Sequence, residues 1–154
     1  MNKKLIILIL FVFLLLSTVV ISILGKNPDP PIIRVDHITF IPNEADTFEY
    51  IDGVLIVTID VTNLEKENDK YVVTYQLNCE VSPSDAANKT LRYNFYNSSD
   101  KQYASISSDG LVTIERDSKV SYDYVIIAKS ADIAVKAECK MIIRIQFKQV
   151  DNPW

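Results

Sequence analysis

An apolar run from Leu5 to Leu24 constrains this chain of 154 residues more than any other feature. The run contains no charged residue, its weakly polar breaks are two serines and one threonine, and two lysines precede it. A helix rises about 1.5 Å per residue, so roughly 20 residues span a hydrocarbon core of about 30 Å. We therefore predict one N-terminal transmembrane helix within residues 1–25.

A cleaved signal peptide is the alternative interpretation of the same run. The apolar centre of a signal peptide has roughly 7 to 15 residues, and this run is longer, although Ser22 offers a small residue for cleavage. Length favours an uncleaved anchor. Lys3 and Lys4 predict a cytoplasmic N-terminus, since cytoplasmic flanks of membrane helices are enriched in positive charge. Both interpretations send residues 26–154 across, as a single-pass protein of the cell membrane or as a secreted one.

Charge and composition argue against several classes of function. All 20 acidic residues but only 14 of the 16 basic ones follow Leu24, so this part carries a net charge of −6, which argues against nucleic acid as a partner. Three scattered glycines do not form a phosphate-binding loop, and His37 is the single histidine. We predict no cofactor, no metal centre and no catalytic residues, and hence no enzyme.

The part after the apolar run divides into a stalk, one domain and a short tail. Residues 26–31 are proline-rich and predict a stiff stalk, because proline favours extended geometry, or a disordered leader if the apolar run is cleaved. Residues 32–150 alternate apolar and polar side chains with a period of two, which indicates β-strands. The clearest strands are predicted near residues 33–41, 54–61, 71–81, 91–96, 103–106, 111–114, 122–128 and 135–147. Residues 151–154 form the predicted C-terminal tail.

Seven or eight short strands separated by turns predict an all-β fold, a Greek-key β-sandwich. Asp109-Gly110 supplies a hairpin turn between two of these strands. Asn63 to Lys70 is rich in acidic and amide side chains, which invites a calcium hypothesis, but Lys66 and Lys70 interrupt it. We predict a solvated loop there.

Three segments resemble the group 2 bacterial Ig-like domains, which have the intimin/invasin-type fold. Residues 81–93 (VSPSDAANKTLRY) look like that family's P-x-x-A-x-x-K turn before an aromatic strand. Residues 104–113 (ASISSDGLVT) are similar to its strand that turns through glycine into a hydrophobic-Val-Thr strand. Residues 124–130 (YVIIAKS) are similar to the strand that follows. Tyr93 stands where the family usually has tryptophan, and the chain holds one copy of a domain that commonly occurs in tandem.

The resemblance implies an Ig-like fold and a cell-surface module without enzymatic activity. We therefore predict a membrane-anchored extracytoplasmic Ig-like module with a non-catalytic binding or structural role. One alternative is a cleaved and secreted binding or effector protein. The other is an accessory subunit of a membrane complex. The predicted partners are the membrane, through the N-terminal helix, and a protein or carbohydrate ligand.

Two pairs of residues are candidate features of the sandwich. Cys79 and Cys139 are the only cysteines, and each lies on the apolar face of its predicted strand. In a Greek-key sandwich these positions fall at the same pole, so the pair forms either a disulfide across the sandwich or two buried thiols. Tyr96 and Tyr103 flank the loop 97–102, where they present either an aromatic contact surface or simple turn packing.

Overall fold

The computed structural model describes residues 30–148, together with Lys3 and Val12. The chain divides into two units, Met1–Pro31 and Ile32–Trp154, and the second contains all the strands. No helix in the described part is long and apolar enough to cross a membrane. The predicted membrane helix in residues 1–25 lies outside the described residues except at those two positions, and so does the predicted tail 151–154.

Ten strands form most of the regular secondary structure within residues 32–148. They are β1 (His37–Ile41), β2 (Thr47–Ile51), β3 (Val54–Asp60), β4 (Tyr71–Gln76), β5 (Asn78–Ser82), β6 (Leu91–Phe95), β7 (Ala104–Ile106), β8 (Leu111–Arg116), β9 (Tyr122–Ser130) and β10 (Glu138–Gln146). A short 3-10 helix, Ser98–Gln102, lies between β6 and β7. The predicted all-β class is therefore confirmed, and the predicted strands coincide with observed ones to within a few residues.

The strands form two layers. One layer is a five-stranded sheet in the order β2-β3-β10-β9-β6, in which only the β3–β10 pair is parallel. The other layer consists of the three-stranded sheet β4-β8-β7 and the two-stranded sheet β1-β5. Strands β4 and β5 are consecutive and are separated only by Leu77, so one extended segment serves both small sheets. The predicted single strand over 71–81 is thus divided where its pairing partner changes.

The core lies between these layers and follows the predicted alternation. Met141, Ile143 and Ile145 of β10 point inward and are at most 6% exposed, as the alternating pattern of this strand predicts. Ile38 and Phe40 of β1 are buried against them from the opposite layer. Burying a side chain of this size contributes about 1.5–3 kcal/mol, so the apolar faces of the strands hold the layers together.

Strand β2 was not among the predicted strands, although its signal is present in the sequence. It forms an antiparallel hairpin with β3 through Asp52 and Gly53, which have φ of 50° and 78°. Positive φ at both central residues defines a type I′ turn, for which Asp-Gly is a preferred sequence. Asp52-Gly53 therefore joins β2 and β3 as a two-residue hairpin turn.

Candidate functional site

The most exposed ordered element is β2, at one edge of the five-stranded sheet. All five of its residues are exposed, and Phe48, Tyr50 and Ile51 keep 47%, 54% and 48% of their surface in contact with solvent. The rings of Phe48 and Tyr50 pack edge to face, with centroids 5.9 Å apart. An edge strand that exposes aromatic side chains is unusual in a soluble domain, because such edges invite pairing with other chains.

The backbone of β2 also has free hydrogen-bonding groups. Residues of an antiparallel pair direct their N–H and C=O groups alternately toward the partner and away from it. In the hairpin Ile51 is paired with Val54 across the two-residue turn, so Glu49 faces β3 as well. Phe48 and Tyr50 therefore direct their N–H and C=O groups outward. Within residues 30–148, β2 pairs with β3 alone, and four backbone groups stand free at this edge.

A hydrogen bond on the other side of β3 shows independently which residues of β2 direct their backbone groups outward. The N–H of Val61 donates to the carbonyl of Gln146 at 2.9 Å, so odd-numbered residues of this segment face β10. Even-numbered residues of β3 consequently face β2. Their partners are the odd-numbered residues of β2, which leaves Phe48 and Tyr50 facing outward.

A charged row crosses the outer surface of the same sheet next to β2. Arg144 of β10 donates from Nη1 to Glu49 at 3.1 Å and from Nε to Asp123 at 3.2 Å. The hydrogen bond to Asp123 and the negative charge of that carboxylate raise the pKa of Arg144 above its ordinary value. The Glu49 side chain remains 53% exposed. Arg144 therefore binds one oxygen of the Glu49 carboxylate, and the carboxylate still faces solvent.

A second aromatic group lies at one end of the sandwich, where one arginine contacts three tyrosines. We call it the Arg116 cluster: Arg116 with Tyr103, Tyr122, Tyr124 and Asp100. The Arg116 guanidinium lies 4.2 Å from the ring centroid of Tyr103 and 4.6 Å from that of Tyr122. Its Nε donates to the hydroxyl of Tyr124 at 2.7 Å. Cation–π contacts and a charge-assisted hydrogen bond therefore hold three tyrosines around one arginine.

Asp100 completes the cluster from the 3-10 helix. Its side chain is 2% exposed, and its Oδ1 accepts a hydrogen bond from the Tyr122 hydroxyl at 2.9 Å. This hydrogen bond is the main cause that raises the pKa of Tyr122, because it stabilises the protonated phenol. The other oxygen, Oδ2, has no hydrogen-bond partner among the described residues. Burial is the main cause that raises the pKa of Tyr124.

The predicted contact pair Tyr96 and Tyr103 is placed against different strands. Tyr96 is 62% exposed, and Lys140 of β10 lies over its ring at 5.0 Å. Tyr103 is 39% exposed, and its ring belongs to the Arg116 cluster. Each ring is therefore engaged by a cation of its own layer. A shared ligand contact of these two residues stays a prediction.

Cys79 lies on β5 and Cys139 lies on β10, that is, on strands of two different sheets. Both are half-buried thiols in the structure, and both pack against the core. Burial raises the pKa of the Cys79 thiol to about 11, with a hydrogen bond from Tyr93 acting against it and Cys139 adding to it. Burial likewise raises the pKa of Tyr93 to about 12. The disulfide between Cys79 and Cys139 stays a prediction.

The acidic loop after β3 is organised by internal contacts. Asp60 accepts a hydrogen bond from the backbone N–H of Thr62, and hydrogen bonding to Thr62 lowers the pKa of Asp60. Lys66 and Lys119 lie over the ring of Tyr71 at 5.3 and 5.2 Å. Between residues 30 and 148 no cluster of three or more histidine, cysteine or acidic side chains is arranged to hold a metal ion.

The hollows in the described surface differ in size and in chemistry. The most enclosed one has a volume of about 20 Å³, room for a single water, and apolar side chains of Val61, Val73, Ile114 and Ile145 line it. The largest, about 470 Å³, is an open groove along residues 129–138 with Arg92 beside it. Ile133 in that loop is 95% exposed.

No protein-family model matches the chain, and no curated protein matches it either.

Proposed function

We propose that this protein is a membrane-anchored extracytoplasmic module with a non-catalytic binding or structural role, built on an Ig-like Greek-key sandwich. The apolar run at residues 5–24 supplies the anchor, and residues 26–31 supply the stalk. Positive charge before the run sets the direction of insertion. The ligand is a protein or a carbohydrate.

The strand order supports the Ig-like part of this proposal. In Ig-like sandwiches two antiparallel sheets pack over a common core with Greek-key connections. Here β6, β9 and β10 form consecutive antiparallel neighbours in one layer, and β4, β8 and β7 do so in the other. The first part of the chain contributes β1 to one layer and the β2–β3 hairpin to the other.

The exposed strand β2 carries the binding part of the proposal. It combines uncovered aromatic side chains with free backbone donors and acceptors at a sheet edge. Addition of a strand to such an edge is a common mode of peptide recognition, in which the main chain supplies affinity and alternate side chains supply specificity. The domain thus has a ready surface for another polypeptide.

Fractionation of cells that express the full chain tests the anchored location. We expect the protein to remain with membranes after carbonate extraction, and external protease to remove the domain from intact spheroplasts. A soluble mature protein whose N-terminus lies near Ile23 would instead support the cleaved and secreted alternative. Protection from external protease would contradict both.

Photocrosslinking tests the binding role in the same cells. A photoreactive phenylalanine analogue replaces Tyr50 on β2 in one strain and Leu111 on β8 in another, since Leu111 is also exposed, at 39%. We expect adducts from position 50 that are absent from position 111. Equal or absent labelling at both positions would contradict a binding surface at β2. If β2 makes the contact, labelling should persist after an unrelated membrane helix replaces the apolar run. Loss of labelling in that variant would favour an accessory role in which the apolar run itself contacts the membrane complex.

A further inference from the structure

The charged residues of the sequence around β2 are acidic. From Val35 to Glu65 the sequence contains no lysine or arginine, whereas it contains the acidic residues Asp36, Glu44, Asp46, Glu49, Asp52, Asp60 and Glu65. Four of these lie within residues 44–52, that is, in β2 and its two flanking turns. Glu44, Glu49 and Asp52 are exposed. A strand that pairs with β2 therefore passes along a row of negative charges.

Of the four acidic residues within 44–52, only Glu49 has an ion-pair partner in the described part of the chain; farther along, Lys148 Nζ lies 3.8 Å from Oδ2 of Asp60. Arg144 binds Glu49, and Asp46 accepts hydrogen bonds from the N–H of Asn43 and from the Tyr75 hydroxyl, which are neutral groups. Charges at a protein edge interact over a Debye length of about 8 Å at physiological ionic strength, which spans a neighbouring strand. A second copy of this chain would bring an identical acidic row alongside the first, and like charges oppose such pairing.

We propose that the edge of β2 receives an extended, basic segment of another polypeptide, which adds to the five-stranded sheet as a sixth strand. This inference rests on the binding role proposed above and names the chemistry of the partner. The outward N–H and C=O groups of Phe48 and Tyr50 pair with the main chain of the added strand. Its apolar side chains lie beside the two aromatic rings, and its lysine or arginine side chains lie on the opposite face, beside Glu49.

The alternation of β2 sets the sequence pattern of this partner. Phe48 and Tyr50 share one face of the strand and Glu49 occupies the other, so the partner alternates apolar and basic residues with a period of two. The acidic turns at both ends extend the preference for positive charge beyond the paired residues. The same charges disfavour addition of acidic strands and of identical copies, which gives the edge its selectivity.

Peptide binding to the full chain in detergent tests the proposal. The probes are a soluble peptide that alternates lysine with valine and a matched peptide that alternates glutamate with valine. Fluorescence anisotropy should show binding of the lysine peptide, weakened by added salt, and at least about tenfold weaker binding of the glutamate peptide. Hydrogen exchange at the Phe48 and Tyr50 amides should slow only when the lysine peptide is present.

Variants separate main-chain pairing from side-chain contact and from charge. Phe48→Pro removes an outward N–H without removing a bond to β3, and Phe48→Ala keeps that N–H, so only the proline variant should abolish protection of Tyr50. Neutralising the row with Glu44→Gln, Glu49→Gln and Asp52→Asn should weaken lysine-peptide binding about tenfold, with the turn intact because asparagine also tolerates positive φ.

Three outcomes would overturn the inference. The first is equal binding of the two peptides. The second is identical behaviour of Phe48→Pro and Phe48→Ala while thermal melting shows both folded. The third is concentration-dependent self-association of the full chain that Phe48→Pro abolishes, which would make a second copy the occupant. Crosslinking from position 50 in cells with no preference for basic peptides would preserve the binding role and reject only this partner chemistry.

Discussion

The Arg116 cluster and the edge strand β2 contain the same kinds of side chain in opposite states. In the cluster, the tyrosines contact an arginine and each other, and the hydroxyls of Tyr122 and Tyr124 each have a partner. In β2, Phe48 and Tyr50 contact each other but leave about half of their surface in water. The two regions therefore differ in whether their aromatic rings and polar groups already have partners within the domain, and not in their aromatic content.

This difference has an energetic meaning. Apolar area that is already buried stabilises the domain and has nothing further to gain from a partner. Apolar area that stays exposed at an edge contributes little to the fold and is available for association. We therefore expect substitutions in the Arg116 cluster to change stability and substitutions in β2 to change binding.

The largest contrast is expected from one substitution made in both regions. Tyr124→Ala should lower the free energy of unfolding by about 3–5 kcal/mol, because it leaves a cavity at a side chain that is 0% exposed. Tyr50→Ala should lower it by less than about 1 kcal/mol, since most surface substitutions have small effects. Urea denaturation followed by tyrosine fluorescence or circular dichroism measures both. Similar losses would remove the distinction between the two regions.

The two hairpin glycines offer a second matched comparison. Gly110 has φ of +86°, and an added Cβ would lie 3.2 Å from the Tyr93 ring and 3.3 Å from Leu77. Gly53, in the β2–β3 turn, has φ of +78° and open space around it. A left-handed backbone conformation costs an alanine about 1–2 kcal/mol, which is the expected effect of Gly53→Ala. Crowding should bring Gly110→Ala to about 2–4 kcal/mol, as thermal unfolding will measure.

A smaller effect should follow from changing the cation of each ring. Arg116→Lys removes the Nε donor to Tyr124 and the planar stacking on Tyr103, and should destabilise the domain by about 1–2 kcal/mol. Lys140→Ala removes the cation over the exposed ring of Tyr96 and should change stability by less than about 0.5 kcal/mol. Chemical denaturation of both variants checks this order. The reverse order would mean that the cluster is not a stabilising unit.

The last comparison concerns pH, which should leave stability unchanged below pH 9.0 and should have a clear effect on thiol reactivity. The pKa of the Cys79 thiol is about 11 in the folded protein, against 9.0 for a free thiol. The unfolded chain therefore loses this proton first, and the stability that the buried thiol contributes below pH 9 is lost as the pH rises through about 11. Tyr93 acts in the same direction, since its pKa is raised to about 12.

Alkylation with iodoacetamide after reduction measures the thiol. In a Cys139→Ser background, the rate at Cys79 should reach half of its maximum near pH 11. A comparator carries Thr47→Cys on the exposed strand β2 with both native cysteines changed to serine, and should reach it near pH 9.0, the value of a free thiol. Coincident profiles would contradict the burial of Cys79. Thiol titration of the wild-type chain with and without reductant reports on the predicted disulfide.

Much of the fold was predictable because alternation is a local property. Residues 138–146 alternate more and less buried side chains, as their pattern indicates. Strands β3 and β9 also contain runs of three buried residues, 55–57 and 126–128. Strand β2 was not predicted from the sequence. In the structure its alternation has no buried face, since all five residues are exposed. The Asp-Gly pair after Thr-Phe-Glu-Tyr-Ile was the available signal, since such a pair joins two strands of a hairpin.

Tyr122 shows the corresponding limit at the end of a strand. Its position in the alternation predicts a core residue, like Tyr124 two residues later. It is instead 36% exposed, and its ring is covered by the Arg116 guanidinium of the opposite layer rather than by apolar core side chains. Periodicity gives the face on which a side chain lies, but coverage depends on the other layer.

The sequence alone determined an all-β domain, its acidic charge and an apolar N-terminal run long enough to cross a membrane. Each of these depends on neighbours within a few residues. Only the tertiary structure decided that β2 is an edge, and that Asp100, Arg116 and Tyr124 meet at one end of the sandwich. Such proximity depends on the order in which distant strands pair, and free energy gained across the whole core selects that order.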